Sequence, residues 1–311
     1  MNFFLQMNRY FMWISLIIGV GILLGGCSSP NEETIPTPTI PLPASFDGDL
    51  AYQYVVAQME FGPRYPGSDG HTAVKEWIQA SMVGLGWEVA AEEQNFNDIK
   101  IQNILATRGI FQAEVPWIVI GAHYDTRRYA DHDPDPNLRS EPVPGANDGA
   151  SGVAVLMELA RSLPENLSVN LTLAFFDAED NGGINGGDWI QGSRAYAESL
   201  TTHPDFVIIV DMIGDSDQNI YLEQSSDIFL AGEIWETAEN IGVDTFIFEQ
   251  KYRIIDDHTP FLTLGIPAVD IIDFDYTYWH TTHDTLDKVS AESLQNVGDV
   301  LRQWLVQSFG S

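Results

Sequence analysis

The apolar runs constrain this chain most, because nearly all of them end in a carboxylate or an imidazole. Runs at 101–107, 117–122, 169–176, 206–211, 220–223 and 268–272 are β-rich and close to continuously hydrophobic. Strands buried on both faces have that pattern. Between them lie helical stretches at 49–60, 72–85, 149–163, 193–200, 228–240 and 291–309. In the third, Val153, Leu156, Met157, Ala160 and Leu163 follow the spacing of a buried stripe. Strands alternating with helices predict an α/β fold: one domain with a mixed, mostly parallel central sheet and helices on both faces. Ligands in such sheets bind beyond the carboxyl ends of the strands. There the chain carries His123 and Asp125, then Asp177, Glu179 and Asp180, then Asp211, then Asp273 and, in the next loop, Trp279 and His280. Asp148 opens the third helix. A lone Asp there reads as a helix cap and a lone His as a core residue. Gathered in one cleft, these groups repel unless a cation offsets them.

Composition narrows the cation. The chain of 311 residues has 45 acidic and 14 basic side chains, a net charge of -31 and one cysteine. That excludes a disulfide framework and thiolate metal fingers, and it leaves no basic surface for nucleic acid. A catalytic metal would be held by oxygen and nitrogen, a set that suits zinc with an open position. Asp131, Asp133 and Asp135 do not make an EF-hand, because prolines stand at 136 and 142 where that loop needs Gly and Glu.

The N-terminus reads as an address. The uncharged run 11–24 follows Arg9 and is shorter than the roughly 20 residues that span a bilayer. It fits a secretory signal peptide and ends in Leu24-Gly25-Gly26-Cys27, which resembles a bacterial lipobox. The expected organisation is a lipoprotein signal peptide at 1–26, a proline-rich tether at 27–45 after a lipidated Cys27, and a catalytic domain at 46–311. The expected location is outside the cytoplasm, anchored by lipid to the bacterial cell membrane or outer membrane.

The segments 121–126 (GAHYDT), 145–152 (GANDGASG), 175–180 (FFDAED), 211–214 (DMIG), 256–261 (DDHTPF) and 278–281 (YWHT), in that order, resemble the M28 zinc-peptidase superfamily. Within it, the loop 127–135, the long connection from Asp180 to Arg194, the Asp256-Asp257 doublet and the Trp before His280 are most similar to glutaminyl-peptide cyclotransferases (glutaminyl cyclases). The resemblance implies a zinc held by Asp148, Asp180 and His280, with Asp180 one methylene shorter than the commoner Glu. It implies Glu179 as general base, Asp211 and Asp256 as a catalytic carboxyl network, and Trp279, Asp125 and His258 in the substrate pocket. His123 with Asp211 would form a second metal set, as in two-metal aminopeptidases, so one or two zinc ions fit. His283, the rival of His280, reads as an exposed loop residue.

The implied reaction converts N-terminal Gln of peptides or proteins to pyroglutamate with release of ammonia. The alternatives are a zinc aminopeptidase and an inactive substrate-binding lipoprotein. The expected partners are N-terminal peptide substrates and, through the anchor, a membrane.

Overall fold

A computed structural model describes residues 45–310, apart from 92, 98, 110 and 185. Cys27, the signal segment and all but the last residue of the tether lie outside the described residues. The described chain falls within one unit, Leu42–Ser311.

The ten strands are β1 (Glu88–Ala90), β2 (Gln94–Phe96), β3 (Ile99–Ile101), β4 (Ile104–Thr107), β5 (Trp117–His123), β6 (Asn170–Phe176), β7 (Phe206–Asp211), β8 (Ile220–Leu222), β9 (Phe246–Gln250) and β10 (Ala268–Ile272). Six of them form the central sheet in the order β1-β4-β6-β5-β7-β10. β6, β5, β7 and β10 run parallel; at one edge β4 pairs antiparallel with β6, and β1 antiparallel with β4. The sheet is mixed and mostly parallel, as expected. Along β5, Ile118 and Ile120 enter one core and Val119 the other. β6 and β7 alternate in the same way, which is the period-two signature of a strand covered on both sides.

The larger core packs α1 (Gly48–Glu60), α2 (Asp69–Gly84), α3 (Ala150–Ser162), α5 (Ile228–Ile241) and α7 (Ala291–Phe309) on one face. The other face carries α4 (Gln191–Ser199) and the short α6 (Thr259–Thr263). The chain steps from β5 to β6 on one side of β5 and then returns past it to β7. The strand order reverses at β5, and a parallel sheet opens its ligand crevice at such a reversal.

Three sequence expectations are corrected. The run 101–107 is two strands, because Asn103 turns aside: its Oδ1 accepts from Asp177 N at 3.0 Å and its Nδ2 donates to Gly192 O at 2.8 Å. The helix expected from 72 begins at Asp69, because the Ser68 hydroxyl caps it by accepting from His71 N at 3.0 Å. The run 220–223 yields β8, which pairs with β9 in a separate two-stranded sheet.

α3 lies close on the sheet because of Gly152. A Cβ there would stand 2.5 Å from Val210 O. Gly152→Ala should therefore lift α3, and Asp148 with it, off β7 and cost about 1–3 kcal/mol of stability in denaturant titration.

Candidate metal centre and active site

The crevice is built from strand ends and from the loops that follow them. His123 ends β5 and Asp211 ends β7. Asp148 precedes α3, but it does not cap the helix. The N-cap is Gly149, whose φ of +96° and lack of side chain let the chain pass Asp125 O and the His123 ring. The Asp148 carboxylate is thereby free of local duty. Its backbone is held from behind by Asp284, whose Oδ1 accepts from Asn147 N at 2.8 Å and whose Oδ2 accepts from Asp148 N at 3.1 Å. Arg64 binds the carbonyls of Pro144 and Gly145 in the same loop. Burial pulls the Arg64 guanidinium down to about 10, while Asp284, Asp148 and Asp125 favour its charge.

Glu179 and Asp180 do not sit on β6 but just past it. Ala178 adopts a left-handed φ of +54°. The Asp125 carboxylate accepts from Glu179 N at 3.0 Å and from Asp180 N at 3.2 Å. Met212 (φ +46°) and His280 (φ +57°) are also left-handed. Such residues cost about 1–3 kcal/mol each and persist where their surroundings force them. Here they lie next to Glu179, next to Asp211 and at His280 itself.

Two groups of buried ligand-type side chains result, and they share Asp148. His123, Asp148 and Asp211 form one; Asp148, Asp180 and His280 form the other. In the first, His123 Nε2 is 3.0 Å from Asp211 Oδ1 and 3.2 Å from Asp148 Oδ1. In the second, His280 Nε2 is 3.1 Å from Asp180 Oδ1 and 3.7 Å from Asp148 Oδ2. Asp148 Oδ2 and Asp180 Oδ2 are buried with no hydrogen-bond partner. Buried carboxylate oxygens without donors, beside an imidazole, fit a metal ion.

Electrostatics agree. Burial, then the Asp180 charge, pushes Glu179 well above the usual carboxylate range. Burial raises Asp180 and Asp211, although His280 and His123 respectively oppose it. Burial and Asp211 push Asp256 up to about 7; burial and Asp256 push Asp257 up to about 8. Burial works against charge on His123, yet Asp211 and its other acidic neighbours hold its proton affinity well above the ordinary value.

Asp148, Glu179, Asp211, Asp256 and His280 line a pocket of ≈ 180 Å³, walled by Trp189, Met212, Ile254, Ile255, Ile272, Phe274 and Trp279. That is below the roughly 300–1,000 Å³ of sites for drug-sized ligands and suits a single residue. The His280 ring stacks on Trp279 at 3.8 Å between centroids, and on Trp189 at 5.9 Å.

The structure thus brings Glu179, Asp211, Asp256, Asp148, His280 and Trp279 to one pocket, with Asp180 and His123 grouped against its ligand residues. Two expected pocket residues lie elsewhere. Asp125 is fully buried behind the site, occupied by the peptide N–H groups of Glu179 and Asp180. His258 is buried between Glu223 (3.4 Å) and Asp270 (3.6 Å), with Ser225 Oγ at 3.1 Å. Asp177 pairs with His71 at 2.7 Å, and Asp273 accepts from Asn219 N and Asp275 N, so neither enters the pocket. His283 is exposed. Sequence reasoning named Asp257 only as part of a doublet, without a role, and missed Trp189, Asp270, Glu223 and Arg127. Asp270 had a signal, an acid in the middle of an apolar strand.

Residues 103–305 match the model of peptidase family M28. The chain belongs to that family. It is similar to the glutaminyl-peptide cyclotransferase of Boiga irregularis, 28% identical over 298 residues that cover 78% of this chain and 77% of that protein. The glutaminyl cyclase of Porphyromonas gingivalis superposes with a TM-score of 0.78 at 30% identity, covering 85% of this chain and 99% of that one. A Zn-dependent exopeptidase from Parabacteroides distasonis does so with a TM-score of 0.77 at 28% identity, covering 87% and 100%. This M28 chain is an enzyme of a zinc-dependent family.

Glu223 ties the pocket rim to the fold. It accepts from Ile254 N, Ser225 N and Ser226 N. Burial opposes its charge, but these donors and His258 bring its pKa down to about 2. A depressed carboxylate contributes stability above its unfolded value of about 4.5 that is lost as pH falls toward 2. The stability gap between the unaltered chain and Glu223→Gln should be full at pH 6 and shrink across that window, as read by urea unfolding at several pH values.

Proposed function

We propose that this M28 enzyme is a glutaminyl-peptide cyclotransferase that works with one zinc ion. The carrying observation is the distribution of free ligand atoms. Within the two ligand sets, the buried carboxylate oxygens without partners are Asp148 Oδ2 and Asp180 Oδ2; both are in the set with His280, and only the shared Asp148 is also in the set with His123. The set with His123 is closed by that imidazole's own contacts to Asp211 and Asp148. The cyclase relatives support the same reading.

Asp148, Asp180 and His280 would hold the ion, which when bound polarises the side-chain carbonyl of an N-terminal Gln as a Lewis acid. Trp279, Phe274 and Ile254 enclose that side chain and exclude water, which folds it back toward its own amine. Glu179 accepts a proton from the α-amine as the amine nitrogen bonds to the side-chain carbonyl carbon. It returns the proton to the departing amide nitrogen, which leaves as ammonia. Attacking amine and leaving amide belong to one residue, so no water enters the balance. Asp256 and Asp211 share the pocket floor with Glu179 and would accept hydrogen bonds from the amine and the leaving nitrogen. Asp125 acts from behind, by fixing the Glu179 and Asp180 backbone.

A second reading follows from the other set. If His123, Asp148 and Asp211 take up a further ion, the site becomes that of a two-metal aminopeptidase. Purified protein offered a Gln-initiated peptide and a leucine anilide separates the two. The expected result is ammonia and pyroglutamate from the first, with one zinc per chain; anilide cleavage alone, or two zincs, would overturn the cyclase reading. Glu179→Gln should lower kcat by about 10²–10⁴-fold while zinc is kept. The catalytic form is the carboxylate, and its pKa is raised. kcat/KM should therefore fall on the acid side as pH drops through a midpoint well above that of an ordinary Glu.

We also propose that Cys27 is lipidated and holds the enzyme outside the cytoplasm on a proline-rich tether. The lipobox-like motif supports this. Among the described residues, no helix is long and apolar enough to cross a membrane. Cells fed a radiolabelled fatty acid should label the chain, and Cys27→Ser should abolish the label.

A further inference from the structure

Behind the ligands lies a cation that the reaction does not use. The Arg127 side chain is only 5% exposed. Its Nε and Nη2 donate to the two oxygens of Asp131 at 2.8 Å and 2.6 Å. Nη2 also reaches Gly182 O at 3.2 Å. Nη1 donates to the main-chain oxygen of Asp180 at 3.1 Å and to its Oδ1 at 3.4 Å. The Trp189 ring covers the guanidinium at 4.7 Å. One side chain thus grips a proposed metal ligand by both backbone and carboxylate. It also occupies Asp180 Oδ1, so that Oδ2 remains the open oxygen.

Asp131 carries the grip onward. Its Oδ1 lies 3.7 Å from His280 Nδ1, a buried nitrogen with no hydrogen-bond partner. The peptide N–H of His132 donates to His280 O at 3.2 Å. Asp131, His132 and His280 are also near enough to one another to suggest a metal group of their own. However, both Asp131 oxygens already face a guanidinium, and that charge repels a second cation. A metal-ligating imidazole almost always gives its other N–H to a carboxylate or carbonyl. Asp131 Oδ1, at 3.7 Å, faces this nitrogen from beyond hydrogen-bond distance and acts on it as a neighbouring negative charge.

We infer that Arg127 is a positioning residue for the metal site, setting Asp180 directly and His280 through Asp131. Only a planar fork bridges these groups; a lysine ammonium is a single point charge that cannot reach both carboxylates and both carbonyls. The inference rests on the reading of Asp148, Asp180 and His280 as the metal set, and on nothing about the substrate.

The test uses the full chain, stripped of metal and reloaded. Zinc affinity is read by competition with a chromophoric chelator, and ligand geometry by the visible spectrum of the cobalt-substituted protein. Arg127→Gln, Arg127→Lys and Asp131→Asn should each weaken zinc binding by about 10–100-fold and shift the cobalt bands. The Arg127→Gln/Asp131→Asn double variant should be little weaker than the worse single one, because both act through one network. The metal-free melting temperature of Arg127→Lys should stay at that of the unaltered chain; an equal collapse there would reduce the effect to folding and overturn the inference. Zinc affinities and cobalt spectra unchanged in all three variants would overturn the positioning role alone. An unaltered chain that takes up no zinc would overturn the metal assignment, and the inference with it.

Discussion

Mutual repulsion among buried carboxylates governs this structure. Asp148, Glu179, Asp180, Asp211 and Asp256 meet at the carboxyl edge of a parallel sheet, where water cannot screen them. The raised proton affinities of Glu179, Asp180, Asp211 and Asp256 express the cost of that burial and crowding, while, against burial, His123 holds Asp148 below the usual range. Three kinds of offset surround them. Imidazoles at 123 and 280 supply protons or ligand nitrogens, guanidiniums at 64 and 127 stand behind the loops, and a metal fits the oxygens left without donors. The left-handed residues Ala178, Met212 and His280 are held in the same place, since a fold that forces charges together must also force the backbone.

Around that centre, the supporting acids do different work from the working ones. Asp125 and Asp284 spend their oxygens on peptide N–H groups and thereby aim Glu179, Asp180 and Asp148. Glu223 does the same for the loop that carries Ile254 and Asp256. The aromatic wall comes from two separate loops, one carrying Trp189 and the other Phe274 and Trp279, so its character emerges only when they meet.

Much of this was legible in the amino-acid order. Apolar runs in strand length, alternating with helical stripes, predicted a mostly parallel sheet, and Ile118–Val119–Ile120 enters the two cores as that pattern requires. Strand ends marked His123 and Asp211, and the motif at 145–152 marked Asp148. The family resemblance implies Asp125 and His258 as pocket residues, and a motif match looks alike whether its polar side chain faces the cleft or braces the fold behind it. Arg127 and Trp189 escaped notice because their meaning depends on a contact between loops more than fifty residues apart.

The sequence by itself determined the class of fold, the strand ends beyond which a ligand must bind, and the oxygen-and-nitrogen chemistry of the site. It could do so because strand period, burial and donor type are local properties of the chain. The tertiary structure alone decided which acids face the pocket and which brace it, and which carboxylate oxygens are left without partners. Those outcomes turn on hydrogen bonds formed between segments far apart in sequence, such as Asp125 with Glu179 and Arg127 with Asp180, and no local pattern encodes who satisfies whom.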